Sequence, residues 1–191
     1  TAVSPVHAAN FSDLDALTRE KSELIRRVRP NGLVVLNADD ATVMGMRDQS
    51  TAPVRTYGFA PGADVRAANY VLSTREDHSF EPGEPFWKIV FDLEHAGDTA
   101  PVTMPLIGRA QASAGLAAAA VGIHFGLSLA EIASRLTHVP AQPGRLSPIA
   151  GIKGSLILDD SYNAAPASVV AALDTLASFT PVESARRIAV L

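Results

Sequence analysis

The chain has 191 residues, 47% hydrophobic and 19% charged, and a chain of this size buries on the order of 70% of its unfolded surface in one large or two small domains. Its formal net charge of -4, with no dense run of Lys and Arg, argues against a nucleic-acid partner. It has no cysteine, which excludes disulfides and thiolate zinc sites and favours a cytoplasmic protein. No stretch reaches about 18 uninterrupted apolar residues, so membrane insertion is not expected.

Both ends of the sequence indicate an excerpt from a longer chain. Residue Thr1 is not a methionine, and residues 1–6 have the composition of a strand end. Residues 187–191 are predicted to form an apolar strand without a turn or helix after it. We therefore expect the chain to be cut at both ends.

The first predicted element is a helix over residues 13–29, with Ser12 as its cap and Asp15 three positions later. Its apolar stripe at helical period comprises Leu14, Leu17, Leu24, Ile25 and Val28. Lys21 lies on this stripe where another leucine is expected. A buried amine can snorkel to solvent, form an ion pair, or lower its pKa until it becomes a nucleophile or captures carbon dioxide as a carbamate. Snorkelling is the commonest of these outcomes.

Alternating strands and helices are predicted next. Residues 33–36 and 54–58 form strands on either side of a small helix at 41–46. Three further strands, separated by Gly, Pro and Asp, predict an antiparallel meander over residues 69–73, 85–93 and 102–106. An alanine-rich helix follows at 109–125. A second helix begins at Ser128, where Glu131 completes a capping box, and ends near residue 138.

A linker is predicted where Pro140, Pro143, Gly144 and Pro148 crowd nine residues. We place a domain boundary there, dividing residues 1–139 from residues 140–191. Beyond it, a strand at 155–158, a helix at 166–177 that begins with proline, and the strand at 187–191 predict the start of a βαβ unit.

The polar run Asp159-Asp160-Ser161-Tyr162-Asn163 follows a predicted strand at its carboxyl end. Ligands bind at that edge of open α/β sheets. Adjacent side chains on a strand point to opposite faces, so one of the two carboxylates can face a ligand such as a ribose. A helix cap followed by a solvated turn explains the same residues equally well.

Other candidates are open to two interpretations. His7 follows an apolar segment and is a magnesium or phosphate contact or a structural histidine, although magnesium prefers oxygen ligands. Arg145, after Gly144, is a phosphate clamp or an exposed linker side chain. The run Asn37-Ala38-Asp39-Asp40 predicts a turn with a helix cap. The spacing G-x-x-x-x-G-K-[ST] of a phosphate loop is absent from the sequence.

Taken together, these motifs resemble the Mur ligase family over nearly the whole chain. The most specific parts are Gly144-Arg145-Leu146 and the sequence ILDDSYNA at residues 157–164, and the run at residues 37–40 matches another family signature. The resemblance implies an α/β fold: the C-terminal part of a P-loop-type central domain with an antiparallel meander, followed by the start of a Rossmann-like C-terminal domain.

The resemblance also implies the nucleotide contacts. It assigns Arg145 to the phosphates of ATP, Asp160 to the ribose, and Tyr162 with Asn163 to the side of the nucleotide. The helix that begins after Gly108 is expected to hold the adenine at its start, where Gln111 offers an amide.

The spacing between His7 and Lys21 fits the family's metal site. There the lysine is carbamylated, and both residues serve the magnesium and phosphate site. The resemblance therefore implies three catalytic residues, namely His7, carbamylated Lys21 and Arg145, with His7 and Lys21 at Mg2+.

The implied reaction belongs to peptidoglycan synthesis. ATP phosphorylates the carboxylate of a UDP-N-acetylmuramoyl tripeptide, and the amine of D-alanyl-D-alanine displaces phosphate to give an amide. A monomer is expected, and residues 1–191 alone are not expected to be active, because the family's phosphate loop would lie upstream.

Two alternatives stay open. A related ligase such as folylpolyglutamate synthase shares the carbamylated lysine, although the run from Asp159 to Ala164 argues against it. The other is a degenerate, non-catalytic binding module that no longer holds ATP. Ala110 and Ala114 replace residues of the family's adenine pocket, and Ala165 replaces a usual asparagine.

Overall fold

The computed structural model describes Val3 and residues 13–74, 87–179 and 186–191; the predictions for His7 and Ser12 lie outside these residues. The helices of the described chain are α1 Leu14–Arg26, α2 Ala41–Met44, α3 Arg109–His124, α4 Leu129–Leu136 and α5 Pro166–Ser178. The strands are β1 Val34–Asn37, β2 Val54–Gly58, β3 Val65–Thr74, β4 Trp87–His95, β5 Asp98–Met104, β6 Ser147–Ala150 and β7 Leu156–Asp159.

The main sheet has five strands in chain order, β1 to β5. Strands β1, β2 and β3 pair in parallel, whereas β3, β4 and β5 pair antiparallel. The predicted antiparallel meander is thereby confirmed. Strand β3 has an irregular register between Ala68 and Val71, next to Asn69, which has a φ of +52°. A bulge of this kind increases the local twist of the sheet.

The larger apolar core lies between this sheet and helices α3 and α4. Its most buried strand side chains include Ile89, Phe91 and Leu93, none more than 1% exposed. Helix α3 packs closely because, apart from Leu116, its buried residues are alanine and glycine. A Cβ on Gly115 would lie only 3.0 Å from Sδ of Met104. Burying a side chain such as Phe91 stabilises the fold by roughly 1.5–3 kcal/mol.

Helix α1 confirms the predicted helix but ends at Arg26, three residues before the predicted end, and buries a different face. Asp13 is the N-cap and accepts a hydrogen bond from the backbone N–H of Ala16 at 2.6 Å. The buried side consists of Leu17, Ser22 and Ile25, whereas Leu24 is 74% exposed.

The prediction that Lys21 lies on a buried stripe is therefore wrong. Its side chain is exposed, because the described chain covers α1 along the side of Ile25, which packs with Val34 and Leu36. The premise shared by the predicted outcomes, a buried amine at position 21, therefore does not hold for the described chain.

The predicted linker is shorter than expected. Strands β6 and β7 form an antiparallel ribbon in which Pro148 pairs with Leu158, and a two-stranded ribbon accommodates proline because each strand has an edge. Helix α5 begins at Pro166 as predicted. The strand predicted at residues 187–191 is wrong: residues 186–191 are not in a strand, and Val190 is 91% exposed.

Candidate functional site

The turn at residues 144–146 meets the polar loop after β7 at close range. The backbone N–H of Tyr162 donates to the carbonyl of Gly144 at 3.1 Å. Gly144 has a φ of +71°, and a Cβ there would lie 3.0 Å from Cβ of Tyr162. Both the backbone conformation and the close approach require glycine at this position.

One peptide group of this turn, between Arg145 and Leu146, is hydrogen-bonded at both ends. Nε2 of Gln111 donates to its carbonyl oxygen at 3.1 Å. Its N–H donates to Oδ1 of Asp160 at 3.0 Å. Gln111 lies on α3 and Asp160 lies in the loop after β7. The two hydrogen bonds therefore hold the turn between helix α3 and the β6–β7 ribbon.

The side chain of Arg145 extends over the ring of Tyr162. Its Cζ lies 4.6 Å from the ring centroid, and Tyr162 is 70% exposed. A guanidinium has five N–H donors, which can bind phosphate or carboxylate oxygens in pairs. The stacking itself is worth about 0.5–1 kcal/mol at an exposed site.

The two adjacent aspartates have different roles. Asp159 Oδ1 accepts from the backbone N–H of Ser161 at 3.1 Å, and hydrogen bonds from the Ser161 side chain and backbone lower the pKa of Asp159. Asp160 instead faces the turn with Arg145. Neither caps α5, whose N-cap is Ala165, so the helix-cap interpretation of these aspartates is wrong.

A cavity of about 290 Å³ lies where the start of α3 meets α5. Gly108 opens α3 with a φ of +90°, and a Cβ there would lie 3.0 Å from Cδ1 of Leu146 and 3.1 Å from Oγ1 of Thr175. This glycine lets the turn and α5 approach the helix start. The remaining lining residues include Arg109, Ala110, Ala171 and Asp174.

Arg109 forms a part of the site that the sequence analysis missed. Its Cζ lies 3.8 Å above the ring of Phe59 and 5.6 Å from that of Tyr70, and the two rings meet edge to face. Burial raises the pKa of the Tyr70 phenol, and Arg109 acts in the opposite direction. The only sequence signal is an arginine directly after the glycine that opens a helix.

The run at residues 37–40 is structural, as predicted. Asp40 caps α2 by accepting from the backbone N–H of Val43 at 3.0 Å. Asp39 accepts from the backbone N–H groups of Phe59 at 2.9 Å and Ala60 at 2.8 Å. These bonds hold the loop after β2 against the loop after β1.

The predicted site residues divide into two groups. Gln111, Arg145, Asp160 and Tyr162 are brought together, and Asn163 lies exposed next to Tyr162. Lys21 lies exposed on α1, which packs on the separate apolar cluster of β1 and α2. Within the described part of the chain, no group of three or more His, Asp or Glu side chains is arranged to hold a metal ion.

The first group fits a nucleotide. A stacked guanidinium suits phosphate oxygens, a carboxylate with one oxygen engaged has a second for a ribose, and the cavity beside Gly108 is of a size for a small ligand. The described residues do not by themselves provide a magnesium site, because the oxygen ligands that Mg2+ prefers are not clustered among them. None of the described helices is long and apolar enough to cross a membrane.

Comparison with known proteins gives three consistent results. The sequence profile of the Mur ligase middle domain matches residues 1–122. The chain is 31% identical over 181 residues to the UDP-N-acetylmuramoyl-tripeptide--D-alanyl-D-alanine ligase of Escherichia coli, covering 92% of this chain and 36% of that protein.

The crystal structure of MurF from Acinetobacter baumannii superposes with a TM-score of 0.79 at 25% identity, over 94% of this chain and 36% of that one. MurF ligase from Thermotoga maritima in complex with ADP gives a TM-score of 0.75 at 20% identity, covering 93% of this chain and 38% of that chain, a likeness of fold. The chain thus spans about a third of the length of the curated relatives it matches.

Proposed function

The chain belongs to the Mur ligase family, and we propose that it is part of an ATP-dependent ligase that joins D-alanyl-D-alanine to a UDP-N-acetylmuramoyl tripeptide. The names of its relatives support this choice of substrates. The observation that carries the proposal is the convergence of Arg145, Asp160 and Tyr162 beside the start of α3. They come from segments 15 to 17 residues apart that meet only in the folded chain.

In this proposal Arg145 binds the phosphates of ATP, and the free oxygen of Asp160 binds a ribose hydroxyl. The base lies toward the cavity beside Gly108, with Tyr162 and Asn163 at its side. A hydrogen bond to a charged group contributes roughly 1.5–3 kcal/mol. Arg145 and Asp160 are therefore the two side chains whose loss should weaken nucleotide binding most.

When bound, ATP supplies the phosphoryl group that activates the tripeptide carboxylate for attack by the amine of the dipeptide. The part of Arg145 is electrostatic, since a fixed guanidinium stabilises charge on phosphate oxygens without reorganising as that charge develops. The backbone bonds to Gln111 and Asp160 position the residue that carries this cation.

The assignment of His7 and carbamylated Lys21 to a magnesium and phosphate site stays a prediction. Carbon-13 NMR of the full-length protein with labelled bicarbonate should give a carbamate signal that Lys21→Arg abolishes. An unchanged signal in Lys21→Arg would remove the assignment.

Three further predictions also stay predictions: the domain boundary near residue 140, the monomeric state and the cytoplasmic location.

The substrate assignment is tested by assaying the full-length protein that contains residues 1–191. ATP-dependent product is expected with UDP-N-acetylmuramoyl tripeptide plus D-alanyl-D-alanine and not with folate plus glutamate. Product with the second pair alone would favour a folylpolyglutamate synthase. Absence of both product and nucleotide binding would favour the non-catalytic module, whose adenine pocket is altered at Ala110 and Ala114.

A further inference from the structure

We propose that Gln111 is a positioning residue that acts through Arg145, so that its amide aligns the phosphate-binding turn and does not select the adenine base. This inference rests on the proposed function, since it takes Arg145 to be a phosphate contact. It assigns the side chain a role in the turn at residues 144–146, at the junction of α3 with the β6–β7 ribbon.

The peptide group between Arg145 and Leu146 is held at both ends by side chains. The carbonyl of Arg145 accepts from Gln111 Nε2 at 3.1 Å, and the N–H of the next residue, Leu146, donates to Asp160 Oδ1 at 3.0 Å. A peptide group is planar. Holding its two ends therefore fixes the backbone torsions on both sides, ψ of Arg145 and φ of Leu146.

These two hydrogen bonds maintain an unusual backbone conformation at Leu146. Leu146 has a φ of +49°, a left-handed conformation that is unfavourable for any residue other than glycine. Its side chain is buried and lies against Gly108, at the start of α3. If the peptide group lost these hydrogen bonds, Leu146 would relax toward a more favourable backbone conformation. The Cα of Arg145 would move as a result.

Gln111 lies in the first turn of helix α3, which packs on the main sheet. It is the third residue of α3, whose next residue, Ala112, is fully buried against the sheet. The glutamine therefore connects the main sheet to the turn, while Asp160 connects the turn to the ribbon. Asparagine at position 111 would be one methylene shorter and would not reach the carbonyl of Arg145.

The experiment uses the full-length protein with Gln111→Ala and Gln111→Asn. Gln142→Ala is the matched control, because Gln142 is exposed two residues before the turn and contributes only its main-chain carbonyl to the described hydrogen bonds. Hydrogen exchange of the Leu146 amide is measured first, because it requires no ligase activity. Exchange should accelerate about fivefold or more in both Gln111 variants, from the loss of one hydrogen bond, and stay unchanged in the control.

Nucleotide affinity is measured next by calorimetry with non-hydrolysable analogues of ATP and ITP in the presence of Mg2+. Gln111→Ala should weaken both about fivefold and equally, and should have less than a twofold effect when Arg145 is already alanine. A selective loss for the adenine analogue, additivity with Arg145→Ala, or unchanged exchange at Leu146 would each overturn the proposal. Absence of ligase product from the wild-type protein would contradict the proposed function, whereas the exchange result decides the positioning role separately.

Discussion

Gln111 and Asp160 bind opposite ends of one peptide group, the one that joins Arg145 to Leu146. The two residues are 49 positions apart in the chain. Gln111 lies on α3, which packs on the main sheet, whereas Asp160 directly follows strand β7 of the ribbon. They hold a leucine in a left-handed conformation that costs roughly 1–2 kcal/mol. These two hydrogen bonds therefore fix the backbone directly beside Arg145.

Replacing Asp160 should lower the free energy of unfolding. Asp160→Ala leaves the N–H of buried Leu146 without its acceptor, at a cost of about 1–3 kcal/mol. Asp160→Asn keeps an acceptor oxygen and should lose less. Urea unfolding measures both, with Asp48→Ala, at an exposed position, as the control. Equal stability of Asp160→Ala and wild type would contradict the importance of this bond.

Gly144→Ala should be clearly destabilising. Its φ of +71° and the 3.0 Å approach to Cβ of Tyr162 leave no room for a methyl group, and the strain is expected to cost about 1–3 kcal/mol. Gly62→Ala is the matched control, because nothing lies within 4 Å of the added Cβ. Thermal unfolding of the two variants should therefore separate them, and similar melting temperatures would argue against a tightly packed turn.

Arg109→Ala should weaken the start of α3. The guanidinium covers Phe59 at 3.8 Å, and its loss removes a cation–π contact worth about 0.5–1 kcal/mol. Arg135→Ala, at the exposed end of α4, controls for the loss of a positive charge. Chemical denaturation compares the two, and an Arg109 effect no larger than that of Arg135 would show that the stack contributes nothing.

We expect Asp64 to make the free energy of unfolding depend on pH in the acid range. Burial acts to raise the pKa of Asp64, but hydrogen bonds from the backbone and side chain of Thr56 outweigh it and lower the pKa below its ordinary value. Because its pKa is lower in the folded state, ionised Asp64 stabilises the protein at pH values above its unfolded-state pKa of about 3.9. This stabilisation is lost as the pH falls through the folded-state pKa.

The check is the urea midpoint of wild type and Asp64→Asn between neutral pH and pH 3. The difference between the two proteins should be largest at neutral pH and shrink on acidification. A difference that grows on acidification would have the wrong sign for this explanation.

Local signals in the sequence predicted much of the fold. Strand β2 was predicted residue for residue, and the capping box of Ser128 and Glu131 forms as expected. Both depend on neighbouring residues alone. The strand β6 was missed because Pro148 indicates a linker, and the stripe of α1 was misassigned because Leu24 has helical spacing but no covering surface.

The sequence named residues that lie close together in the fold, but it did not predict the contacts between them. The resemblance named Gln111, Arg145 and Asp160, and the structure brings them together. That Gln111 reaches a main-chain carbonyl, and that Arg109 stacks on Phe59, depends on pairs of residues 34 and 50 positions apart. Composition and periodicity carry no information on such pairs.

We propose that the turn with Arg145 and the loop with Asp160 form a nucleotide site. Calorimetric titration of the full-length protein with a non-hydrolysable ATP analogue and Mg2+ tests it most directly, with Arg135→Ala as control. We expect binding by the wild type and the control, and a loss of at least about tenfold in affinity in Arg145→Ala and Asp160→Ala, from one charged hydrogen bond each. Unchanged affinity in both site variants would contradict the claim.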